Sequence, residues 1–238
     1  MNQQYQNPTQ SINNDGVMAK NFISNVFSWM GIAMAITAVT AYFFANDAGL
    51  MSLLITETGM SMLGYIVMFA PFGLVLLMGF RFAKMSYGSL VAVFGTYSIL
   101  MGMSLSFILL IYTASSVFQT FLTTSLMFGV MALVGYTTKT DLTKFGSILF
   151  MALIGLIIAS LINMFMGSGT LDYIISFVGV LIFTGLIAYD VQKLKRIGSG
   201  IMYQSHDPNK LAVMGALSLY LDFINLFLFL LRFMGDRK

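Results

Sequence analysis

The sequence predicts an all-α integral membrane protein of seven transmembrane helices, and three observations predict it. Hydrophobic residues make up 58% of the 238 and charged residues only 9%, whereas a soluble domain carries about 25% charged residues to cover its surface. Apolar runs of about 20 residues, the length that crosses about 30 Å of hydrocarbon, recur along the chain. Lysine and arginine collect in the short connectors between those runs, which is the pattern of membrane orientation and not of a nucleic-acid surface. The absence of cysteine excludes a disulfide framework and a thiolate metal site.

Residues 1–20 are rich in Asn, Gln and Ser without apolar periodicity, and are expected to form a flexible polar tail ahead of one seven-helix membrane domain, 21–238. The spans fall at roughly 22–45, 59–80, 87–112, 118–137, 145–166, 173–192 and 211–233. The first is too long and too late for a cleaved signal sequence. Lipid requires each backbone polar group to be satisfied within the segment, so the runs read as helices. Pro71 inside the second span frees a carbonyl one turn earlier, and a kink is expected there. Gly88, Ala92, Gly95, Gly102 and Ser106 share one face of the third span, where small residues let a neighbouring helix come close. Asn46-Asp47, Ser86, Lys139 to Asp141 and Gly167-Ser168-Gly169 interrupt the apolar pattern as turns. The longest connector, 193–210, carries most of the loop charge and the only histidine, His206, read as a solvated loop residue.

One set of connectors, with the N-terminal segment, holds Lys20, Arg81, Lys84, Lys139, Lys144, Lys193, Lys195, Arg196 and Lys210. The opposite set holds Arg237 and Lys238, and Arg232 lies in the last span. This nine-to-two imbalance predicts an N-terminus in the cytoplasm and a C-terminus outside, unless the last segment is re-entrant. The composition suits a bacterial inner (cytoplasmic) membrane.

Two charges sit where they are costly. Asp222 lies midway along the last span and Asp190 closes the sixth. A carboxylate near the bilayer centre costs about 2.5–3.5 kcal/mol even on the lenient insertion scale, and such residues face a bundle interior or a cavity. Ser218, Asp222, Asn225 and Arg232 follow one face of the last helix, with Phe229 the apolar member of the stripe. The stripe therefore belongs inside, and the last helix is central. Asp190 has a bland alternative, an i,i+3 pair with Lys193, and Arg232 is expected to snorkel to the interface. Arg81 ends the second span at a depth similar to Asp190, either as a partner for it or as a positive-inside anchor.

The run Ala216 to Phe227 (ALSLYLDFINLF), continued by Leu230-Leu231-Arg232, resembles the C-terminal signature of the Bax inhibitor family, in a bacterial-type form. The Tyr189-Asp190 pair and the seven-span layout with short loops are similar to that family as well. The resemblance covers residues 20 to 235 and implies two three-helix layers around a central C-terminal helix. It implies a pH-sensitive calcium leak in which Asp190 and Asp222 form the sensor and a transient calcium site. Arg81 is then the candidate latch, and Ser218, Asn225 and Arg232 support the pair. Two carboxylates close together in a low-dielectric site cannot both ionise cheaply and titrate as a pair. Calcium takes about six to eight oxygen ligands, so two aspartates imply weak binding of a permeant ion and no resident cofactor.

A regulatory membrane protein that conducts nothing and modulates a membrane protease or a cell-death partner is the alternative. A proton-coupled transporter ranks lower because no internal repeat or pair of broken helices is evident. No HExxH, no Ser/His pairing in the membrane and no phosphate loop point to an enzyme, so no catalytic residue is assigned. The expected partners are the lipid bilayer, calcium and a membrane protein, with no nucleic acid.

Overall fold

The computed structural model describes residues 8–57, 59–201 and 207–238. Eight helices run in chain order: α1 (Pro8–Asn46), α2 (Ala48–Leu54), α3 (Met62–Arg81), α4 (Tyr87–Ile111), α5 (Ala114–Thr137), α6 (Thr143–Met166), α7 (Gly169–Arg196) and α8 (Pro208–Met234). All but α2 contain a stretch long and apolar enough to cross a membrane, that of α1 being Val17–Asn46. His206 lies outside the described residues.

Helix starts coincide with residues that can cap them. Ser61, Ser86, Thr113 and Ser168 each accept a hydrogen bond from the backbone N–H three residues on, and Asp207 accepts one from Asn209. These side chains satisfy N–H groups that the helix itself leaves unpaired. Gly167 ends α6 in the left-handed region at φ +63°, a conformation open to glycine at no steric cost.

Two departures from the sequence reading concern the first connector and the N-terminus. Between α1 and α3 the chain forms α2 and a two-stranded hairpin, β1 (Ile55–Thr56) and β2 (Gly59–Met60), so the second span starts at Met62. Within the stretch read as a polar tail over residues 1–20, α1 already begins at Pro8 and Ala19 is buried, while residues 1–7 lie outside the described residues. Nucleation is the costly step of helix formation and extension adds little further cost. A packed α1 therefore propagates outward to Pro8, a residue suited to the first turn.

The helices form two layers. α4 packs between α1 and α3, and α7 packs between α5 and α6. α8 lies between the layers, touching α7, α1, α5 and α4. Leu219, Tyr220 and Leu226 on it are completely buried, whereas Met151, Ile154, Ile158 and Phe165 of α6 face outward. That outward apolar surface belongs in lipid.

Small residues fix the closest approaches. A Cβ on Gly102 of α4 would run into the Thr37 backbone of α1, and one on Gly135 of α5 into the Ala188 backbone of α7. The small-residue face of α4 is used only in its second half, since a Cβ on Gly88 or Gly95 would meet open space. Pro71 is buried within a helix that continues to Arg81.

The C-terminus joins the connector between α4 and α5. Thr113 donates its N–H to the Asp236 carbonyl, Lys238 donates its N–H to the Ile111 carbonyl, and Asp236 donates its N–H to the Ser116 hydroxyl. The last helix thus crosses the full bundle and is not re-entrant.

The packing predicts opposite outcomes for two glycines of α5. Gly135→Ala forces α5 away from α7 and should cost about 1–3 kcal/mol, the usual penalty of overpacking. Gly129→Ala, with nothing within 4 Å of the new Cβ, should be neutral or slightly stabilising. Thermal unfolding of the purified protein in detergent checks both.

Candidate functional site

α7 and α8 run antiparallel in a register that two glycines report. Gly215 of α8 lies against the Leu194 side chain and Gly179 of α7 lies under the Phe229 ring. Along that register Asp190 comes level with Ser218, and Asp222 sits one turn deeper. Ser218 and Asp222 both lie close enough to the Asp190 carboxylate to act on it electrostatically. Both carboxylates are buried, at 8% and 6% exposure. The Asp222 Oδ2 has no hydrogen-bond partner among the described residues. A buried carboxylate oxygen left in that state is costly, and the surrounding chain does nothing to relieve it.

Two cavities meet at this level. One, of about 310 Å³, opens at the end of the bundle that carries the lysine-rich connectors, between Gly79, Phe82, Lys193, Leu211 and Met214. The other, of about 740 Å³, is a cleft within the span between α3 and α6, floored by α8. Asp190 and Ser218 line both cavities, whereas Asp222 and Asn225 line only the deeper one.

This arrangement refines the reading of the polar stripe. α8 is central, but its stripe is the least tightly packed face: Ser218, Asn225 and Phe229 are only half-buried while the apolar faces are fully covered. Polar side chains in a span seek a cavity in preference to apolar neighbours, and the cleft supplies one. The Asn225 amide donates to the Leu221 carbonyl at 2.8 Å, which leaves its carbonyl oxygen as an acceptor.

The cations fall differently from the sequence reading. Arg81 stands exposed at the end of α3, outside the two ion pairs found among the described residues, so the structure does not bring it onto Asp190 or Asp222. Lys193 is the positive charge that acts on Asp190, yet no ion-pair contact joins them. Arg232 does reach the surface, and there its Nη1 lies 3.3 Å from Asp172 Oδ1 in the first turn of α7. That half-exposed pair is worth about 0–1 kcal/mol.

Two supporting networks had no signal in single-residue reading. Tyr220, two residues from Asp222, shares a 2.7 Å hydrogen bond with the Thr37 hydroxyl, and that hydroxyl also reaches the Ser98 carbonyl at 3.0 Å. The Tyr220 ring meets Tyr97 and Phe94 edge-on. These contacts fix the rotation of α8 against α1 and α4. On the other layer, the buried Gln192 amide donates to the Thr140 carbonyl and accepts from the Leu142 N–H. Arg196 reaches Asp141 at 2.7 Å and Gln192 at 2.9 Å, so the end of α7 just beyond Asp190 is tied to the α5–α6 connector.

Six apolar spanning helices around a seventh that carries buried acid define a multi-pass membrane protein with an internal carboxylate site. Residues 19–238 match the sequence model of the family described as inhibitor of apoptosis-promoting Bax1, and the chain belongs to that Bax inhibitor family. It is 44% identical to the inner membrane protein YbhL of Escherichia coli K12 over 92% of this chain and 93% of that one. An uncharacterized protein of Borreliella burgdorferi is also 44% identical, over 93% and 95%. A third relative, from Rickettsia prowazekii, is 42% identical over 92% and 91%.

The connector predicts a pH effect. Hydrogen bonds from Thr143 and Arg196 hold the Asp141 carboxyl well below the usual carboxylate range. A depressed pKa in the folded state stabilises it above the unfolded aspartate pKa of about 3.9 and loses that contribution as pH falls below it. Asp141→Asn should therefore speed amide exchange over residues 138–146 at pH 7. The difference from the parent, corrected for intrinsic rates, should narrow on acidification toward pH 3. It should stay small at every pH, because the pair is exposed.

Proposed function

We propose that this chain is a pH-sensitive calcium leak of the inner membrane, gated at the Asp190–Asp222 pair. One observation carries the reading: Asp190 and Ser218 form the partition between a cavity reaching one face of the bundle and a deeper cleft that holds Asp222. A cation that enters from the lysine-rich face meets carboxylate oxygen first at this partition. Further on it meets the unpaired Asp222 Oδ2 and the Asn225 carbonyl. These groups fall short of the about six to eight oxygens of a calcium cage, as conduction demands, since an ion must also leave. Shared protonation joins α7 to α8 through a carboxyl–carboxylate hydrogen bond, and full ionisation sets the two carboxylates in repulsion. Proton occupancy thereby changes the width of the partition.

Calcium influx into dye-loaded liposomes across pH 5–8 tests the proposal. The expected result is a pH-dependent leak that Asp190→Asn or Asp222→Asn abolishes or shifts, with Arg81→Ala close to the parent. A parent protein that passes no more calcium than empty liposomes overturns it and favours the regulatory alternative, in which the chain modulates a membrane-protein partner.

The orientation follows from charge. The connectors that frame the smaller cavity hold nine lysines and arginines in the sequence, counted with the N-terminal Lys20, and this face is read as cytoplasmic. A C-terminal alkaline phosphatase fusion in a bacterial host should be active, and a C-terminal fluorescent protein that folds only in the cytoplasm should stay dark. The reverse pattern would invert the assignment.

A further inference from the structure

The cleft between α3 and α6 has a composition that calcium conduction does not require. Its walls are apolar, and its rim is formed by Met68, Phe72, Ile157 and Met164, all more than half exposed on the outer face of the bundle. The cleft therefore opens sideways, toward lipid. Its volume of about 740 Å³ falls within the roughly 300–1,000 Å³ typical of sites for drug-sized ligands.

The charged side chains that line this cleft are Asp190 and Asp222, both acidic. Lys193, the cation that acts on Asp190, lines the other cavity. Asp222 Oδ2 is buried and has no hydrogen-bond partner among the described residues. A ligand that matches this cleft must bring a positive charge, several hydrogen-bond donors and a substantial apolar body.

A metal ion meets the first requirement alone. A primary ammonium carries three donors and no acceptor, and the floor offers acceptors at Asp222, Asp190 and the Asn225 carbonyl. An alkyl chain on that ammonium would lie between α3 and α6 and leave through the rim into the hydrocarbon. The apolar length is satisfied by the walls and the charge by the floor. Both ends of such a molecule are matched.

We propose that the α3–α6 cleft binds single-chain lipophilic primary amines, with the ammonium on the Asp190–Asp222 floor and the chain projecting between the helices into the membrane. The proposal rests on that acid pair being the functional site, as the leak reading has it, and not on conduction itself. An amine bound there would occupy the carboxylates that a permeating cation needs.

Isothermal titration of the purified protein in a maltoside detergent tests it, with dodecylammonium as probe and dodecanol and ethylammonium as controls for chain alone and charge alone. Dodecylammonium should bind saturably at one site and both controls at least about tenfold more weakly, the factor expected for losing a charge-assisted hydrogen bond. Asp222→Asn should weaken dodecylammonium by a similar factor. Ile157→Trp, at the exposed rim where folding tolerates the change, should weaken it by crowding the mouth, while Gly129→Ala on α5 leaves it unchanged. Equal binding of dodecanol, or full affinity in both Asp222→Asn and Ile157→Trp, overturns the proposal.

Calcium flux measured on the same preparations separates the two readings. Saturable amine binding without flux removes the leak and leaves the amine site standing. Flux that depends on Asp222, without amine binding, does the reverse.

Discussion

The structure depends on one constraint, which is that Asp222 has to be kept out of the hydrocarbon. A charged residue at the middle of a span is tolerated only if its helix is enclosed. α8 is accordingly the most deeply buried of the spanning helices. The two three-helix layers are the enclosure. Each supplies helices that touch α8, and the glycines at the α5–α7 and α1–α4 crossings bring those helices close enough to close around it.

Enclosure on every side would leave the carboxylate in a dry core, and the bundle avoids that at one position. α3 packs on α4 and α6 on α7, and between α3 and α6 the layers part. The least packed face of α8 turns to that gap. The same gap holds the acid pair, reaches the smaller cavity through Asp190 and Ser218, and opens at the side. An opening that lowers the burial cost of the acids thus also makes them reachable, so stability and the proposed function share one feature of the packing.

Most of the architecture was legible in the sequence because lipid sets strong rules. Span length, apolar content and the placement of lysine and arginine gave seven helices with boundaries within about four residues of those observed, except at the start of α1. Asp222 stood out because no apolar helix carries a central carboxylate without cause. What escaped the sequence depends on distance between segments. The Asp172 partner of Arg232 is 60 residues away in the chain, and Thr37 is 183 residues from Tyr220. Arg81 shares a depth with Asp190, but depth in the membrane says nothing about rotation around the bundle, and its side chain faces outward. The hairpin at 55–60 was hidden because a turn of six residues leaves no periodicity to read.

The two hydrogen-bond networks bear on how the acid pair could move. Thr37 and Ser98 hold α8 through Tyr220, on the side opposite the cleft, while Gln192 and Arg196 hold the end of α7 through the α5–α6 connector. Each anchor is tied to a different layer, and Asp222 and Asp190 lie within one turn of their anchors. On the proposed leak reading, a change in the protonation of the two aspartates acts on two helices that are each fixed close by. Any displacement falls on the α7–α8 seam, where the Leu194 side chain is seated against Gly215 and the Phe229 ring against Gly179. Packed interfaces shift by discrete steps, and on the proposed leak reading a step there would widen or narrow the partition at Asp190 and Ser218 without unfolding either layer.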